Sequence, residues 1–204
     1  MNRKFLSGTF GLAATLLLVG VAGSVEGSEP NGTSQPELQI ESPTIPIRSG
    51  NPEDVLPAKG PRPVAIRVGD INLDASVIPV GVDAERQLDV PSADLVGWYQ
   101  YSPTPGSSGA TVLAAHVDYG GKQGAFFNLH QLAIGERFEL VLEDGSIKEY
   151  EVTGNTTYDK VNLPEEDLFR KDGKPVLQLV TCGGTFDPVD RSYEANVVVS
   201  AIPL

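Results

Sequence analysis

The 204-residue chain has a single cysteine, Cys182, and only two histidines, His116 and His130. A lone cysteine cannot form a disulfide within its own chain, which excludes a disulfide-stapled scaffold. The sequence also lacks a zinc-type cluster of cysteines and histidines, a glycine-rich phosphate loop and a dinucleotide fingerprint. Its acidic residues are numerous, but none stand at the spacing of a metal-ligand set. We therefore expect neither a metal nor a cofactor.

Basic residues are also scarce. The chain has 15 Lys and Arg against 27 Asp and Glu, giving a formal net charge of −12. A surface of that sign repels nucleic acid and anionic lipid headgroups. We expect no nucleic-acid partner.

The N-terminus combines positive charge with a long uncharged stretch. Arg3 and Lys4 precede residues 5–25, which contain no charged side chain, and Glu26 and Glu29 follow. About 20 such residues can span a bilayer, and this charge order places the rest of the chain outside the cytoplasm. Small residues near position 23 also fit a cleaved signal peptide. Residues 1–25 are therefore predicted to be a signal peptide or a membrane anchor.

Residues 26–60 are rich in Pro, Ser, Gly, Asn and Glu and show no sustained apolar periodicity. Such a composition buries too little apolar surface to fold by itself and indicates an extended linker. Residues 61–204 are long enough to bury a full core, so we expect one folded domain there.

The sequence of this domain indicates an all-β fold. Residues 64–68 and 71–80 alternate apolar and polar side chains around a turn at Gly69 and Asp70. Residues 138–142 and 147–152 flank Asp144-Gly145, which is a strong hairpin signal. Short strands at this spacing favour a closed barrel or a sandwich.

Cys182 and His116 occupy similar positions in the sequence. Cys182 follows the apolar run 177–180 and precedes two glycines, and we expect the strand to end there with the thiol at the rim of the sheet. His116 follows the apolar run 111–115. A thiol and an imidazole together can perform nucleophilic catalysis. The alternatives are a buried small hydrophobic side chain for Cys182 and a strand-end histidine for His116, whereas His130 is expected at the surface.

Arg191 is the only arginine after Cys182. A guanidinium beside a thiol can lower the thiol pKa and can donate hydrogen bonds to an oxyanion. The alternative is a solvated loop arginine paired with Asp187 or Asp190.

From residue 63 to the end, the chain resembles the sortase family, and most closely the class F sortases of Gram-positive actinobacteria. The resemblance is carried by Val96-Gly97-Trp98-Tyr99 with Pro105-Gly106, Ala114-Ala115-His116-Val117-Asp118, Phe126-Phe127-x-Leu129, Leu179-Val180-Thr181-Cys182-Gly183-Gly184-x-Phe186-Asp187 and Tyr193-x-x-Asn196-Val197-Val198-Val199. It implies an eight-stranded β-barrel with short helices. The chain departs from the family pattern at Glu194, where many class F members carry arginine directly after the tyrosine.

The resemblance implies a cysteine transpeptidase without a cofactor, acting on surface proteins with a C-terminal sorting motif of the Leu-Pro-x-Thr-Gly (LPXTG) type. Cys182 would be the nucleophile, His116 the acid and base, and Arg191 the oxyanion donor. Thr181 and Asp118 are assigned to substrate binding, and Asp118 is also a candidate for orienting His116. A peptidoglycan precursor would supply the acceptor amine. The resemblance favours an N-terminal anchor retained at the outer face of the cytoplasmic membrane, or a secreted enzyme if the segment is cleaved.

Two other functions stay open from the sequence. A thiol peptidase of the same fold would hydrolyse its substrate instead of ligating it. A non-catalytic barrel that binds cell wall or peptide would leave the Cys-His pair without a chemical role. Polymerisation of pilin subunits is a closer variant, and anchoring of single proteins is favoured over it.

Overall fold

The computed structural model describes residues 60–84, 86–189 and 191–204. The predicted anchor and nearly all of the predicted linker lie outside the described residues. Within the described part of the chain, no helix is long and apolar enough to cross a membrane.

The described chain is predominantly β-structure. Its strands are β1 (Pro63–Val68), β2 (Leu73–Val80), β3 (Val96–Tyr99), β4 (Ala110–Ala114), β5 (Asp118–Tyr119), β6 (Lys122–Gln123), β7 (Arg137–Leu142), β8 (Ile147–Asp159), β9 (Val176–Asp187) and β10 (Ser192–Pro203). Its helical segments are the α-helix α1 (Glu165–Leu168) and three 3₁₀ turns at Gly69–Ile71, Leu129–Gln131 and Lys160–Asn162. The predicted hairpin around Asp144-Gly145 is confirmed, since β7 pairs antiparallel with β8 across it.

Eight strands close into a barrel in the order β1-β2-β3-β4-β9-β10-β8-β7, and β7 pairs back onto β1. Two neighbouring pairs are parallel, β2 with β3 and β4 with β9, and the other pairs are antiparallel. Strands β5 and β6 form a separate two-stranded hairpin. The predicted all-β, eight-stranded barrel is therefore confirmed.

Side chains on the two faces of the sheet belong to two apolar clusters. Leu177, Leu179, Val197 and Val199 belong to the larger cluster, which fills the barrel. A second apolar cluster lies on the other face of the sheet and includes Leu163, Leu168 and Phe169. From β4, β9 and β10 this second cluster includes Val112, Ala114, Val180 and Val198. Because side chains in a strand alternate between faces, Cys182 lies on the same face as Val180, outside the barrel.

The strand that carries Cys182 was expected to end at this residue, but in the structure it continues. Strand β9 continues to Asp187, and its pairing with β10 shifts between Ala195↔Gly183 and Tyr193↔Phe186. Gly184 lies in the extra segment with φ of +77°, and a β-carbon at this position would come within 2.9 Å of the Ala195 side chain. The glycines therefore form a β-bulge inside a continuing strand.

Candidate active site

Cys182 is a free thiol that lies well inside strand β9, with only 2% of the residue exposed. Its register partner on β10 is Asn196. The Sγ of Cys182 lies 3.8 Å from the Oδ1 of Asn196, to which it donates a weak hydrogen bond. The nucleophile candidate therefore lies within a paired strand with a polar side chain opposite it.

The parallel pairing of β4 with β9 brings His116 to Cys182. Ala114 is in register with Val180, and the Ala115 amide donates to the Val180 carbonyl at 3.2 Å. Two residues after this pair, the chain that follows β4 reaches His116 and strand β9 reaches Cys182. Both residues are buried, His116 being 1% exposed. The two sequence-predicted residues therefore each lie two positions beyond the last pair of the β4–β9 ladder, at the same end of these strands.

Thr181 connects the same two strands from the opposite face of β9. Its Oγ1 donates to the Ala115 carbonyl at 2.8 Å, and the residue is 2% exposed. The bond satisfies a buried backbone carbonyl immediately before His116. Thr181 thus has a visible role in fixing the position of the histidine, and its assignment to substrate binding stays a prediction.

The β5–β6 hairpin approaches His116 through an aromatic ring. The Tyr119 ring stacks on the imidazole with centroids 4.7 Å apart and planes 27° apart. Asp118, the first residue of the hairpin, accepts a 2.8 Å hydrogen bond on Oδ2 from the Tyr193 hydroxyl. Asp118 therefore connects the hairpin to β10, and its predicted orienting and substrate-binding roles remain untested.

Arg191 lies in the turn between β9 and β10 with a positive φ of 49°. It lines a cavity of about 480 Å³ together with Asp118, Tyr119, Phe186 and Tyr193. The alternative partner Asp187 accepts a 2.7 Å hydrogen bond from the Val189 amide, and Asp190 lies outside the described residues. Glu194, the predicted departure from the class F pattern, is exposed. The structure thus puts Arg191 at the tip of the hairpin, several residues along the strand from Cys182.

Burial keeps both members of the Cys-His pair uncharged in the resting protein. Burial raises the pKa of the Cys182 thiol to about 12, with the positive charge of Lys160 lowering it and the negative charge of Asp118 raising it. Burial lowers the pKa of His116, while the backbone of Val90 and Pro91 and the charge of Asp118 oppose that shift. A thiolate at Cys182 would therefore have to form by proton transfer.

Four residues near the site were missed in the sequence. Tyr193 and Asn196 belonged to the motif blocks and Tyr119 directly follows one of them, but stacking and a cross-strand hydrogen bond leave no sequence signal. Asn196 faces Cys182 only through a register that the bulge sets, and Lys160 comes from a 3₁₀ turn (Lys160–Asn162) remote in sequence. His130 is exposed, as expected. Within the described residues, no group of three or more His, Cys, Asp or Glu could hold a metal ion.

Comparisons with known proteins assign this barrel to a family. A family model described as a sortase domain matches residues 66–204. Since this match covers more than half of the 204 residues, the chain belongs to the sortase family. The predicted family and the assignment as a sortase are therefore confirmed. No curated protein sequence matches the chain.

Solved structures show the same fold at low identity. Sortase C1 of GBS (group B Streptococcus) pilus island 1 is 22% identical with a TM-score of 0.52, and the match covers 69% of this chain and 63% of that one. Sortase C-1 from Actinomyces oris is also 22% identical with a TM-score of 0.52, covering 69% and 72% of the two chains. Sortase A from Corynebacterium diphtheriae is 18% identical with a TM-score of 0.54, covering 72% and 62%. The chain thus spans less than two thirds of the first of these relatives, and the likeness shows the fold alone.

Proposed function

We propose that this chain is a cysteine transpeptidase. It would cleave a Leu-Pro-x-Thr-Gly-type sorting motif between Thr and Gly and join the surface protein to an amine of a peptidoglycan precursor. The observation that supports the proposal is the β4–β9 register, from which we expect His116 to lie beside Cys182 within the matched sortase domain. Burial of both side chains in a fixed geometry suits a pair that must exchange one proton.

The reaction begins with transfer of the Cys182 thiol proton to His116. The thiolate attacks the Thr carbonyl carbon, so that a C–S bond forms and the carbonyl π electrons move to the oxygen. Collapse of this oxyanion breaks the Thr–Gly C–N bond, and the His116 imidazolium protonates the departing glycine amine. The acceptor amine then attacks the thioacyl carbon, His116 takes its proton, and the C–S bond breaks to regenerate the thiolate.

Arg191 is the proposed donor to the oxyanion. Its support is that it shares a cavity with Asp118 and Tyr119, whose hairpin covers His116. We expect Arg191→Ala to lose turnover while Cys182 still reacts with a thiol reagent. Unchanged turnover would remove Arg191 from the active site.

We further propose that the enzyme belongs to class F and works at the outer face of the cytoplasmic membrane of a Gram-positive cell. The motif blocks around His116, Cys182 and Tyr193 support the class, although Glu194 departs from it. The uncharged residues 5–25 support an N-terminal anchor, or export if the segment is cleaved.

Cleavage of a quenched fluorescent Leu-Pro-x-Thr-Gly peptide tests the proposal. The chain is assayed with and without a glycine-type amine, and the products are identified by mass. We expect amine-linked product that disappears in Cys182→Ala and in His116→Ala, with cooperative thermal unfolding retained in both variants. Free acid alone, with or without amine, would instead identify a thiol peptidase.

One observation favours a rival function. Cys182 is almost fully buried and its pKa is raised to about 12, as expected of a structural thiol in a non-catalytic peptide-binding or wall-binding barrel. This rival predicts no cleavage of any motif variant and a slowly alkylated thiol. It also predicts that the Cys182→Ala variant binds the same peptides as the parent chain.

A further inference from the structure

Asn196 is a polar side chain buried directly against the candidate nucleophile. It is 0% exposed, it lies opposite Cys182 in the β9–β10 register, and its Oδ1 lies 3.8 Å from the Cys182 Sγ. Its amide nitrogen, Nδ2, is also buried and has no hydrogen-bond partner among the described residues. The carboxamide thus offers unused donors beside the one thiol of the chain.

An unsatisfied buried amide is costly, and its position suggests what it does. Leaving a buried N–H group unpaired costs about 1–3 kcal/mol, so such groups in native structures call for an explanation. A neutral thiol uses only the oxygen of the amide as acceptor for its S–H. A thiolate is a strong acceptor with no proton to donate, and it requires the nitrogen instead. A half-turn about the terminal side-chain torsion, which has a broad two-fold profile, exchanges the two atoms.

We propose that Asn196 is a further catalytic residue, which accepts the S–H of the resting Cys182 and donates Nδ2–H to its thiolate once the proton has passed to His116. This inference rests on the proposed function, because it assumes that the thiolate forms during turnover. It assigns to Asn196 the stabilisation of the sulfur, whereas Arg191 was proposed for the oxyanion of the substrate.

The charged groups around the sulfur are already engaged elsewhere. Lys160 lowers the thiol pKa through its charge, but its Nζ donates a 2.6 Å hydrogen bond to Ser192 Oγ. Asp118 raises the thiol pKa through its charge and accepts from the Tyr193 hydroxyl. Asn196 is in direct contact with the sulfur, and it is neutral. Its contribution therefore depends on which of its two atoms faces Cys182.

Alkylation of Cys182 by iodoacetamide tests this role without any peptide substrate. The full 204-residue chain is compared with Asn196→Leu, which keeps the branched shape of the side chain without its polar atoms. Rates are measured from pH 7 to pH 9. In this range the rate rises tenfold per pH unit with the thiolate fraction, because the thiol pKa of about 12 lies well above it. Loss of a donor to the thiolate should slow alkylation about tenfold at every pH.

The two possible roles of Asn196 predict effects of opposite sign. If Asn196 only accepts the S–H, its removal destabilises the thiol, and alkylation stays unchanged or becomes faster, which would overturn the inference. Methyl methanethiosulfonate serves as a second small reagent. A slower rate with both reagents supports the donor role, and a slower rate with only one of them is an access effect that refutes it.

Two further variants complete the design. Ser200→Ala is the matched control, because it removes the 2.7 Å hydrogen bond to Gln178 Oε1 on the same strand pair without touching Cys182, and it should react at the parental rate. Asn196→Val also removes both polar atoms and suits a strand, so it should react slowly as well and carries the test if the leucine variant does not fold. Absence of amine-linked product from the parent chain would refute the proposed function separately, since alkylation requires no peptide.

Discussion

Substitution of Gly124 by alanine should displace His116 without dismantling the barrel. Gly124 follows the β5–β6 hairpin, and a β-carbon there would stand 2.1 Å from the His116 carbonyl oxygen and 2.9 Å from its Cβ. Ordinary contact begins near 3.4 Å, so the two segments must separate by about 1.3 Å. The obstacle is backbone, which cannot rotate away as a flexible side chain can.

The expected magnitude follows from the contacts that this separation breaks. The Gly124 amide donates to the Val117 carbonyl at 2.9 Å, and the Phe126 amide donates to the His116 carbonyl at 3.1 Å. Losing both costs about 1–3 kcal/mol of the free energy of unfolding, or roughly 3–10 °C in Tm. A misplacement of about 1 Å in a catalytic group costs on the order of 100-fold in turnover.

The assay measures kcat/KM for the sorting peptide well below the Tm, together with thermal unfolding. Gly69→Ala is the matched control, because a β-carbon at Gly69 meets nothing within 4 Å and its φ lies outside the positive range. The control should retain parental turnover and Tm. Parental turnover in Gly124→Ala would refute the reasoning that this packing fixes the position of His116.

Three further predictions concern the same site. Thr181→Val should lower the free energy of unfolding by about 1–3 kcal/mol in urea titrations, because a buried carbonyl loses its partner; an unchanged midpoint would contradict this. Burial, and then the hydrogen bond to Asp118, raise the pKa of Tyr193 to about 12. Asp118→Asn should therefore lower the phenol pKa in an ultraviolet titration and speed alkylation of Cys182, whose pKa the same charge raises; slower alkylation would argue against that charge effect. Stability should fall below pH ~6.5, because the unfolded chain binds the His116 proton more readily, and above pH ~9, because it releases the Cys182 proton more readily. Denaturant midpoints at pH 5, 7 and 10 measure the loss of stability on both sides. His116→Gln should reduce the loss at acid pH, and Cys182→Ser should reduce the loss at alkaline pH. Losses that stay unchanged in these variants would assign the pH dependence to other groups.

The sequence predicted the elements whose signals are local. The Asp144-Gly145 turn between two alternating runs specified the β7–β8 hairpin, since turn chemistry and side-chain period suffice there. Cys182 and His116 could be paired as candidates because each follows an apolar run, and each lies two positions beyond the last β4–β9 pair. The motif blocks carried the family assignment, which the match over residues 66–204 supports.

The remaining features depend on register, which a single sequence does not encode visibly. Gly183 and Gly184 were interpreted as the end of a strand, but a positive φ at Gly184 lets β9 bulge and continue. That bulge decides which β10 residue faces the nucleophile, so Asn196 could not be identified beforehand. The ring stacking of Tyr119 on His116 likewise depends on how a two-residue strand folds back.

The parallel pairing of β4 and β9 also has a consequence for the life of the thiol before the barrel forms. The bond from Thr181 to Ala115 joins residues 66 positions apart, and such long-range contacts form late in folding. Until then Cys182 has the reactivity of an ordinary exposed thiol, open to oxidation and to mixed disulfides. Completion of the barrel buries the sulfur and raises its pKa to about 12, which withdraws it from oxidants. We therefore expect folding to slow oxidation of the only cysteine, and slow folding to lengthen the time during which the thiol is exposed.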